Sequence, residues 1–391
     1  MTERPNDWDP TEPRTIQGRV DQMNQTRARC PVARSARNNG QWDLLRYEDL
    51  AATALDTARF SNAGDARYGK PLPPLELDPP LHGEYRRLLT PFFLPKRVQT
   101  LEQTVRPIAA DIIDGVLAQG GGDLARELAY PLPVLGLCAL LAIAPDHWLD
   151  IKIWSEDTLE RDSPDPVLRA LAAEGHNKIM AFAAEMIAER RARPHPLQED
   201  VVSALIEARI GGEAMDDDVI ARTLRILISA GHNSTTSAIG NTLLYLAGHP
   251  DAQAQLRAEP ALIPMAIEEI LRFETPVQEM PRWAVGDTEI NGCPIAAGER
   301  IGMFWGAGNR DPAAFPDADQ VILNRKPNRH LAFGQGIHTC LGAPMARMEV
   351  RVAVEEMLAR TASFEIAGEV ERPRFHRMGV SALPVKLTPA R

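Results

Sequence analysis

One cysteine stands among three glycines near the end of this 391-residue chain, in the stretch Phe333-Gly334-Gln335-Gly336-Ile337-His338-Thr339-Cys340-Leu341-Gly342. A thiolate needs nearby donors and a loop that lets backbone amides approach, and glycine permits both a tight turn and a close approach. Pro344 and the helix formers after it predict a helix that begins just beyond the cysteine, where the helix dipole favours negative charge. This arrangement suits a thiolate that serves as a permanent ligand to a metal or a haem iron.

The stretch resembles the haem-ligand signature of the cytochrome P-450 family, the haem-thiolate monooxygenases, in the form found in soluble bacterial members. A lone cysteine is otherwise most often an inert buried thiol, and the surrounding motif reverses that interpretation. The resemblance implies that Cys340 is the axial ligand of the iron in haem b (iron protoporphyrin IX). Every defining position of the signature matches: Phe333, Gly334, Gly336, His338, Cys340 and Gly342. Of these, Phe333, His338 and Gly342 are implied to help bind the haem.

Other cationic side chains match, by the same resemblance, the groups that neutralise the two haem propionates. A buried propionate needs a cationic partner. His82 and Arg86 stand four residues apart and therefore share one helix face, as the family's His-x-x-x-Arg pair does. Arg282 matches a further propionate arginine, and His338 completes the implied set.

Glu269 and Arg272 match the family's Glu-x-x-Arg element, whose spacing lets the two side chains pair on one helix face. The spacing alone is weak evidence, and the position relative to Cys340 selects this pair. The role that the resemblance implies is structural, since the pair braces the loop around the haem. The same spacing recurs at Glu84/Arg87, Glu279/Arg282, Glu369/Arg372 and Glu371/Arg374.

A long helix is predicted over residues 217–248 by apolar side chains at helical spacing. Its polar centre, residues 230–236, predicts a local opening where water or a ligand inserts, with a merely bent surface helix as the alternative. The resemblance places this helix over the haem, where the common pattern is Ala-Gly-x-acid-Thr. Here Asn233 replaces the acid and Ser234 the threonine. Asn233, Ser234 and Thr235 are therefore implied to be catalytic by ordering water and dioxygen, although an amide cannot relay a proton as an acid.

Composition excludes several other classes of protein. The formal charge of −10 argues against a general nucleic-acid binder. The sequence shows no apolar run long enough for a membrane span and no signal peptide, so we expect a cytoplasmic protein that does not bind a membrane. Its four cysteines are scattered, without a CxxC pair, which predicts neither a disulfide framework nor a zinc site.

The predicted fold is mainly α with small β-sheets. Helices are predicted at 101–118, 168–193 and 261–273, a hairpin around Asn291-Gly292, and a strand at 301–305. Length alone would suggest two domains. The resemblance implies instead the cytochrome P-450 fold, with a flexible tail at 1–15 and a single large haem-binding domain at 16–391.

The activity that the resemblance implies is hydroxylation or oxidative dealkylation of a small hydrophobic organic substrate with dioxygen. The electrons would come from a ferredoxin and an NAD(P)H-dependent ferredoxin reductase, because the sequence contains no fused redox module. A peroxide-driven peroxygenase on the same haem and a non-enzymatic haem sensor are the alternatives.

Two groups of residues are expected at binding surfaces. The resemblance implies that electrons arrive on the cysteine side, where a basic patch would steer an acidic ferredoxin. It comprises Arg325, Lys326, Arg329, Arg347 and Arg351. The stretches that the resemblance implies to line the substrate pocket offer Leu227, Ile228, Val277 and Gln278, which suggest an apolar substrate.

Overall fold

The computed structural model describes residues 8–11, 15–64, 69–161, 163, 165–373 and 378–390. Most of this part of the chain is helical, as the sequence predicts, and the strands form small sheets. The α-helices are α1 (Ile16–Arg29), α2 (Tyr47–Leu55), α3 (Leu81–Leu89), α4 (Pro95–Ala118), α5 (Pro131–Leu141), α6 (Trp148–Asp157), α7 (Pro166–Ala192), α8 (Val201–Glu207), α9 (Asp217–Gly248), α10 (Pro250–Ala258), α11 (Ile263–Glu274), α12 (Trp305–Asn309) and α13 (Ala343–Arg360). The strands are β1 (Val32–Ser35), β2 (Gln41–Leu44), β3 (Phe60–Ser61), β4 (Gly121–Asp123), β5 (Arg209–Ile210), β6 (Glu213–Ala214), β7 (Met280–Ala284), β8 (Thr288–Ile290), β9 (Cys293–Ile295), β10 (Arg300–Met303), β11 (Thr361–Ile366) and β12 (Pro384–Pro389).

The described residues form two compact units, each assembled from separate stretches of the chain. The first draws on Met1–Asp65, Ala261–Cys340 and Arg372–Val380, and the second on Ala66–Pro260, Leu341–Glu371 and Ser381–Arg391. The boundaries of a single domain at 16–391 stay a prediction.

A five-stranded sheet in the order β1-β2-β10-β7-β3 organises the first unit. Strands β2 and β10 run parallel and the other pairs are antiparallel. The predicted hairpin is confirmed as β8–β9, and positive φ angles at Asn291 (52°) and Gly292 (79°) give the primed turn. The strand predicted at 301–305 is wrong at its end, because Trp305 already begins α12.

Within the segment predicted as a flexible tail, Trp8 is packed and Thr11 is exposed, and the flexibility of the tail stays a prediction. The Trp8 side chain is buried, and its Nε1–H donates to Asp43 Oδ2 at 2.9 Å. Its ring packs edge-on against Phe304, with 4.9 Å between the ring centroids. These contacts attach Trp8 to the rest of the first unit. Residues 1–7 and 12–14 of the predicted tail lie outside the described residues.

Helix α9 is the central helix of the second unit and packs against α5, α6, α7 and α13. Its bounds match the sequence prediction, and so does the end of α4, where Gly120 (φ 77°) stops the helix. The predicted opening of α9 is wrong, because the backbone stays α-helical through residues 230–236. The packing of α9 against α5, α7 and α13 explains the continuity, because tertiary packing supplies most of the stability of a helix in a protein. The helix also accommodates the bond that Ser237 Oγ donates to the Asn233 carbonyl at 3.2 Å.

Within the described ranges, no helix is both long and apolar enough to cross a bilayer.

Candidate active site

The cysteine loop is held in a defined shape by backbone hydrogen bonds and two left-handed glycines. The Cys340 N–H donates to the Phe333 carbonyl at 2.8 Å. Gly334 and Gly336 have φ angles of 69° and 77°, which disfavour any side chain. A Cβ on Gly336 would also come within 2.5 Å of the Ala54 carbonyl oxygen. The sequence prediction of a glycine-dependent turn is therefore confirmed, and the predicted helix follows as α13.

The Cys340 side chain is exposed, whereas Cys138 is buried and Cys30 and Cys293 are half-buried. A thiol at the open face of a fixed loop offers the soft sulfur donor that haem iron accepts. His338 lies in the short 3₁₀ turn Gly336–His338 of the same loop, and Phe333 stands at its start. The residues that form this loop therefore fit a haem-thiolate site.

The Glu269–Arg272 pair is completely buried in the first unit and makes a two-point contact. Arg272 Nε and Nη2 donate to the two Glu269 oxygens, each at 2.8 Å. The remaining guanidinium hydrogens bond three backbone carbonyls of the segment before the cysteine loop, those of Asn309, Ala318 and Gln320. The pair thus connects α11 to that irregular segment, in agreement with a bracing role.

Two residues of this network were missed or misassigned from the sequence. Arg325 was predicted on the basic patch, but it is buried and its Nε donates to both Glu269 oxygens at 3.0 Å. Asn309 is also buried, and its Oδ1 accepts from the Leu331 N–H at 2.6 Å. Although burial alone would raise it, hydrogen bonds from Arg272, the Ile322 N–H and Arg325 hold the pKa of Glu269 below its ordinary value.

The basic patch is smaller than the sequence suggested. Arg325 is buried, and Arg351 forms ion pairs with Glu102 at 2.5 Å and Glu355 at 3.1 Å. The sequence did not predict these pairings with Glu269 and Glu102, because both carboxylates lie far from Arg325 and Arg351 in the sequence. Lys326 and Arg329 of the first unit and Arg347 of the second remain as exposed cations.

The polar centre of α9 presents neutral groups in the second unit. Asn233 and Ser234 are half-buried and Thr235 is buried. The Asn233 amide nitrogen Nδ2 has no hydrogen-bond partner among the described residues, and neither has the Thr236 hydroxyl. Buried polar atoms of this kind call for a water or a ligand. Thr236 is an unsatisfied group that the sequence reasoning did not single out.

His232 precedes these residues and is fully buried. Its Nδ1–H donates to the Ile228 carbonyl at 3.0 Å, which leaves Nε2 as a bare acceptor. Burial, together with the charge of Lys152, lowers the pKa of His232 to about 3. The imidazole is therefore neutral at physiological pH, and residues 230–236 contain no side chain that carries an acidic proton there.

The predicted propionate ligands occupy structured positions in each unit. His82 and Arg86 lie on α3 in the second unit, and His82 is buried. Burial and the neighbouring Arg86 charge hold the pKa of His82 below its ordinary value, so an anion is needed to favour its charged form. In the first unit, Arg282 is buried on β7 and its Nη1 donates to the Pro281 carbonyl at 2.7 Å. Their contact with a propionate stays a prediction.

Comparison with known proteins identifies the family. The profile of the cytochrome P-450 family matches residues 165–388, more than half of the chain. The chain is 32% identical over 377 residues to linalool 8-monooxygenase of Pseudomonas putida, with 90% of each protein covered. It is 34% identical over 360 residues to erythromycin C-12 hydroxylase of Saccharopolyspora erythraea, covering 88% of this chain and 89% of the relative.

The chain belongs to the cytochrome P-450 family. Solved structures of this family agree with it over almost the whole length. The open cytochrome P-450 EryK from S. erythraea superposes with a TM-score of 0.86 at 32% identity, covering 96% of this chain and 97% of that chain. This cytochrome P-450 is of the bacterial type and has the monooxygenase class of its relatives.

Proposed function

We propose that this cytochrome P-450 binds haem b through Cys340 and oxidises a small hydrophobic organic substrate with dioxygen and ferredoxin-derived electrons. The observation that carries the proposal is the exposed Cys340 thiol on a loop fixed by Gly334 and Gly336. A thiolate-ligated haem supplies the electron density that favours cleavage of the O–O bond. The chain's own residues bind and orient the reactants and order protons.

Haem b is the form of the cofactor that the sequence supports. Covalent haem attachment uses a C-x-x-C-H motif, which this chain lacks. Binding would therefore rest on Cys340 and on charge pairing with the propionates. His82, Arg86, Arg282 and His338 are the proposed partners, and a propionate beside His82 would favour its protonated form.

Proton delivery on α9 must proceed through ordered water, since its polar centre holds no acidic group at neutral pH. Asn233 Nδ2 can donate to a water, and the hydroxyls of Ser234 and Thr235 can both donate and accept. These side chains would hold a water by hydrogen bonds and orient its protons. The unsatisfied Asn233 amide supports a water at this place.

Replacing Ser234 and Thr235 together by alanine is expected to lower the amount of product formed per electron pair. A hydrogen bond to a charged group contributes roughly 1.5 to 3 kcal/mol. Without it, the amount of product formed per electron pair should fall at least about tenfold. Thr242→Ala is the matched control, because Thr242 is a buried hydroxyl on the same helix that bonds the Ala238 carbonyl. Unchanged coupling in the double variant would show that the proton route lies elsewhere.

The substrate is proposed to be apolar because α9 of the second unit offers the apolar side chains of Leu227 and Ile228 next to its polar centre. A contact between Val277 and the substrate stays a prediction. The amide nitrogen of Gln278 already donates to the carbonyls of Glu274 at 3.0 Å and Thr275 at 2.5 Å and is therefore not a free donor for a substrate. The relatives are named for linalool and erythromycin, which are two different substrates. Both are therefore reasonable first compounds for a spectral titration.

The proposed electron donor is an acidic ferredoxin. Lys326 and Arg329 are exposed cations close in sequence to the cysteine loop and would attract an acidic ferredoxin. A peroxygenase is the second candidate, because Asn233 removes the usual acid.

Turnover assays separate these two candidates. With a compound that shifts the haem spectrum, we expect product from NAD(P)H, ferredoxin reductase and ferredoxin together, and much less from hydrogen peroxide alone. Omission of ferredoxin is the control. Equal or faster turnover with peroxide alone would establish the peroxygenase instead.

A further inference from the structure

Two cysteines away from the haem loop converge on one backbone oxygen. Cys30 follows the last residue of α1 and Cys293 begins β9, and both belong to the first unit. The Sγ atoms of Cys30 and Cys293 lie 3.4 Å and 3.9 Å from the Val32 carbonyl oxygen. Since both distances end on the same atom, the two sulfurs can be no further apart than 7.3 Å, the sum of the two.

The surroundings of the two thiols suit chemistry between them. Cys293 packs against the apolar cluster that contains Val32, Ile290 and Ile295, which holds the β8–β9 hairpin beside the start of β1. Both cysteines are half-buried, so small reagents can reach them, and neither is in a disulfide.

Cys138 provides the contrast within the same chain. It is buried in α5, and burial raises the pKa of its thiol to about 11. Because the thiolate is the reactive form, Cys138 is poorly reactive at neutral pH. In the holoenzyme Cys340 is occupied by iron, which leaves Cys30 and Cys293 as the pair able to react together.

We propose that Cys30 and Cys293 form a redox-active dithiol that hydrogen peroxide converts to a disulfide. One thiolate attacks a peroxide oxygen, the O–O bond breaks, and a sulfenic acid and hydroxide result. The second thiolate attacks the sulfenic sulfur, the S–S bond forms and the hydroxyl leaves. Counting the thiol protons, two thiols and one hydrogen peroxide yield one disulfide and two waters. Hydrogen peroxide is the two-electron reduction product of dioxygen, so the oxidant belongs to the chemistry of an oxygen-reducing enzyme.

The consequence is a covalent tie between the end of α1 and the β8–β9 hairpin. The joined positions are far apart in sequence, and a crosslink over such a long loop stabilises the fold chiefly by constraining the unfolded chain. The disulfide therefore protects the first unit when peroxide accumulates, and a thiol reductant reverses it. The inference does not depend on the proposed substrate or electron donor.

Mass spectrometry of the peroxide-treated holoenzyme tests the proposal. After acid quenching, alkylation and non-reducing tryptic digestion, we expect one crosslink, between peptides 30–34 and 283–300, that dithiothreitol removes. The thiols of Cys30 and Cys293 should disappear from the alkylation count at the same rate. Oxidised protein should also melt several degrees higher than reduced protein.

Cysteine variants identify the residues that form the crosslink. Cys30→Ser and Cys293→Ser should each abolish the crosslink and the rise in melting temperature, whereas Cys138→Ser, the matched control, should retain both. Independent oxidation of the two thiols to sulfinic or sulfonic acids in the wild-type protein, without a crosslink, overturns the proposal. Crosslinks only between separate molecules overturn it equally, and neither outcome requires a folded variant.

Discussion

Replacing Arg272 by methionine is expected to destabilise the protein by about 3 to 5 kcal/mol, the usual cost of removing one partner from a buried ion pair. The variant leaves the Glu269 carboxylate in the interior with less compensation. It also removes the donors to the carbonyls of Asn309, Ala318 and Gln320. Urea unfolding of the holoenzyme, followed by circular dichroism, measures the loss.

A pair with the same spacing serves as the control. Asp56 and Arg59 are also separated by three residues and joined at 2.5 Å, but the Arg59 side chain is 55% exposed, whereas that of Arg272 is 0% exposed. Surface pairs contribute at most about 1 kcal/mol, so Arg59→Met should change stability little. Arg272→Lys should fall between wild type and Arg272→Met, since lysine keeps the charge but not the fork of donors. Equal losses for Arg59→Met and Arg272→Met would contradict a bracing role for the buried pair.

The sequence predicted this pair but not the network around it. Spacing and position relative to Cys340 selected Glu269 and Arg272, because a three-residue separation on a helix has a fixed geometry. Arg325 was assigned to the surface because its neighbours in the sequence are charged. Its burial depends on Glu269, which is 56 residues away, and no local pattern reports such a contact.

Helix ends and turns were predicted well where a local rule decides them. Gly120 after α4 and Asn291-Gly292 in the hairpin have positive φ angles, which these residue types adopt readily. The opening of α9 was predicted from polar composition alone and is wrong. Local composition does not decide this point, because the packing of α9 against α5, α7 and α13 stabilises the helix through its polar centre.

The sequence also predicted only part of the candidate site. The glycine loop around Cys340 follows from residue types, because glycine adopts the positive φ angles of positions 334 and 336 without the strain that a side chain brings. The neutral state of His232 could not be predicted, since it results from complete burial near Lys152. The ion pair between Arg351 and Glu102 likewise depends on the packing of α4 against α13.

Replacing Cys340 by alanine is expected to abolish sulfur ligation and, with it, monooxygenase turnover. The remaining thiol of Cys138 is buried, and Cys30 and Cys293 lie against Val32, so none of them takes over. Cys138→Ala is the control that removes a thiol without touching the loop. Cys138→Ala should lower only the stability of the protein, because the substitution leaves only a small cavity.

The absorption spectrum of the reduced protein under carbon monoxide tests the central claim most directly. With haem bound through Cys340, the wild-type protein and Cys138→Ala should both show the red-shifted Soret band of a sulfur-ligated haem, and Cys340→Ala should lack it. A wild-type protein that binds haem without this band would contradict the account, as would a Cys340→Ala variant that keeps it.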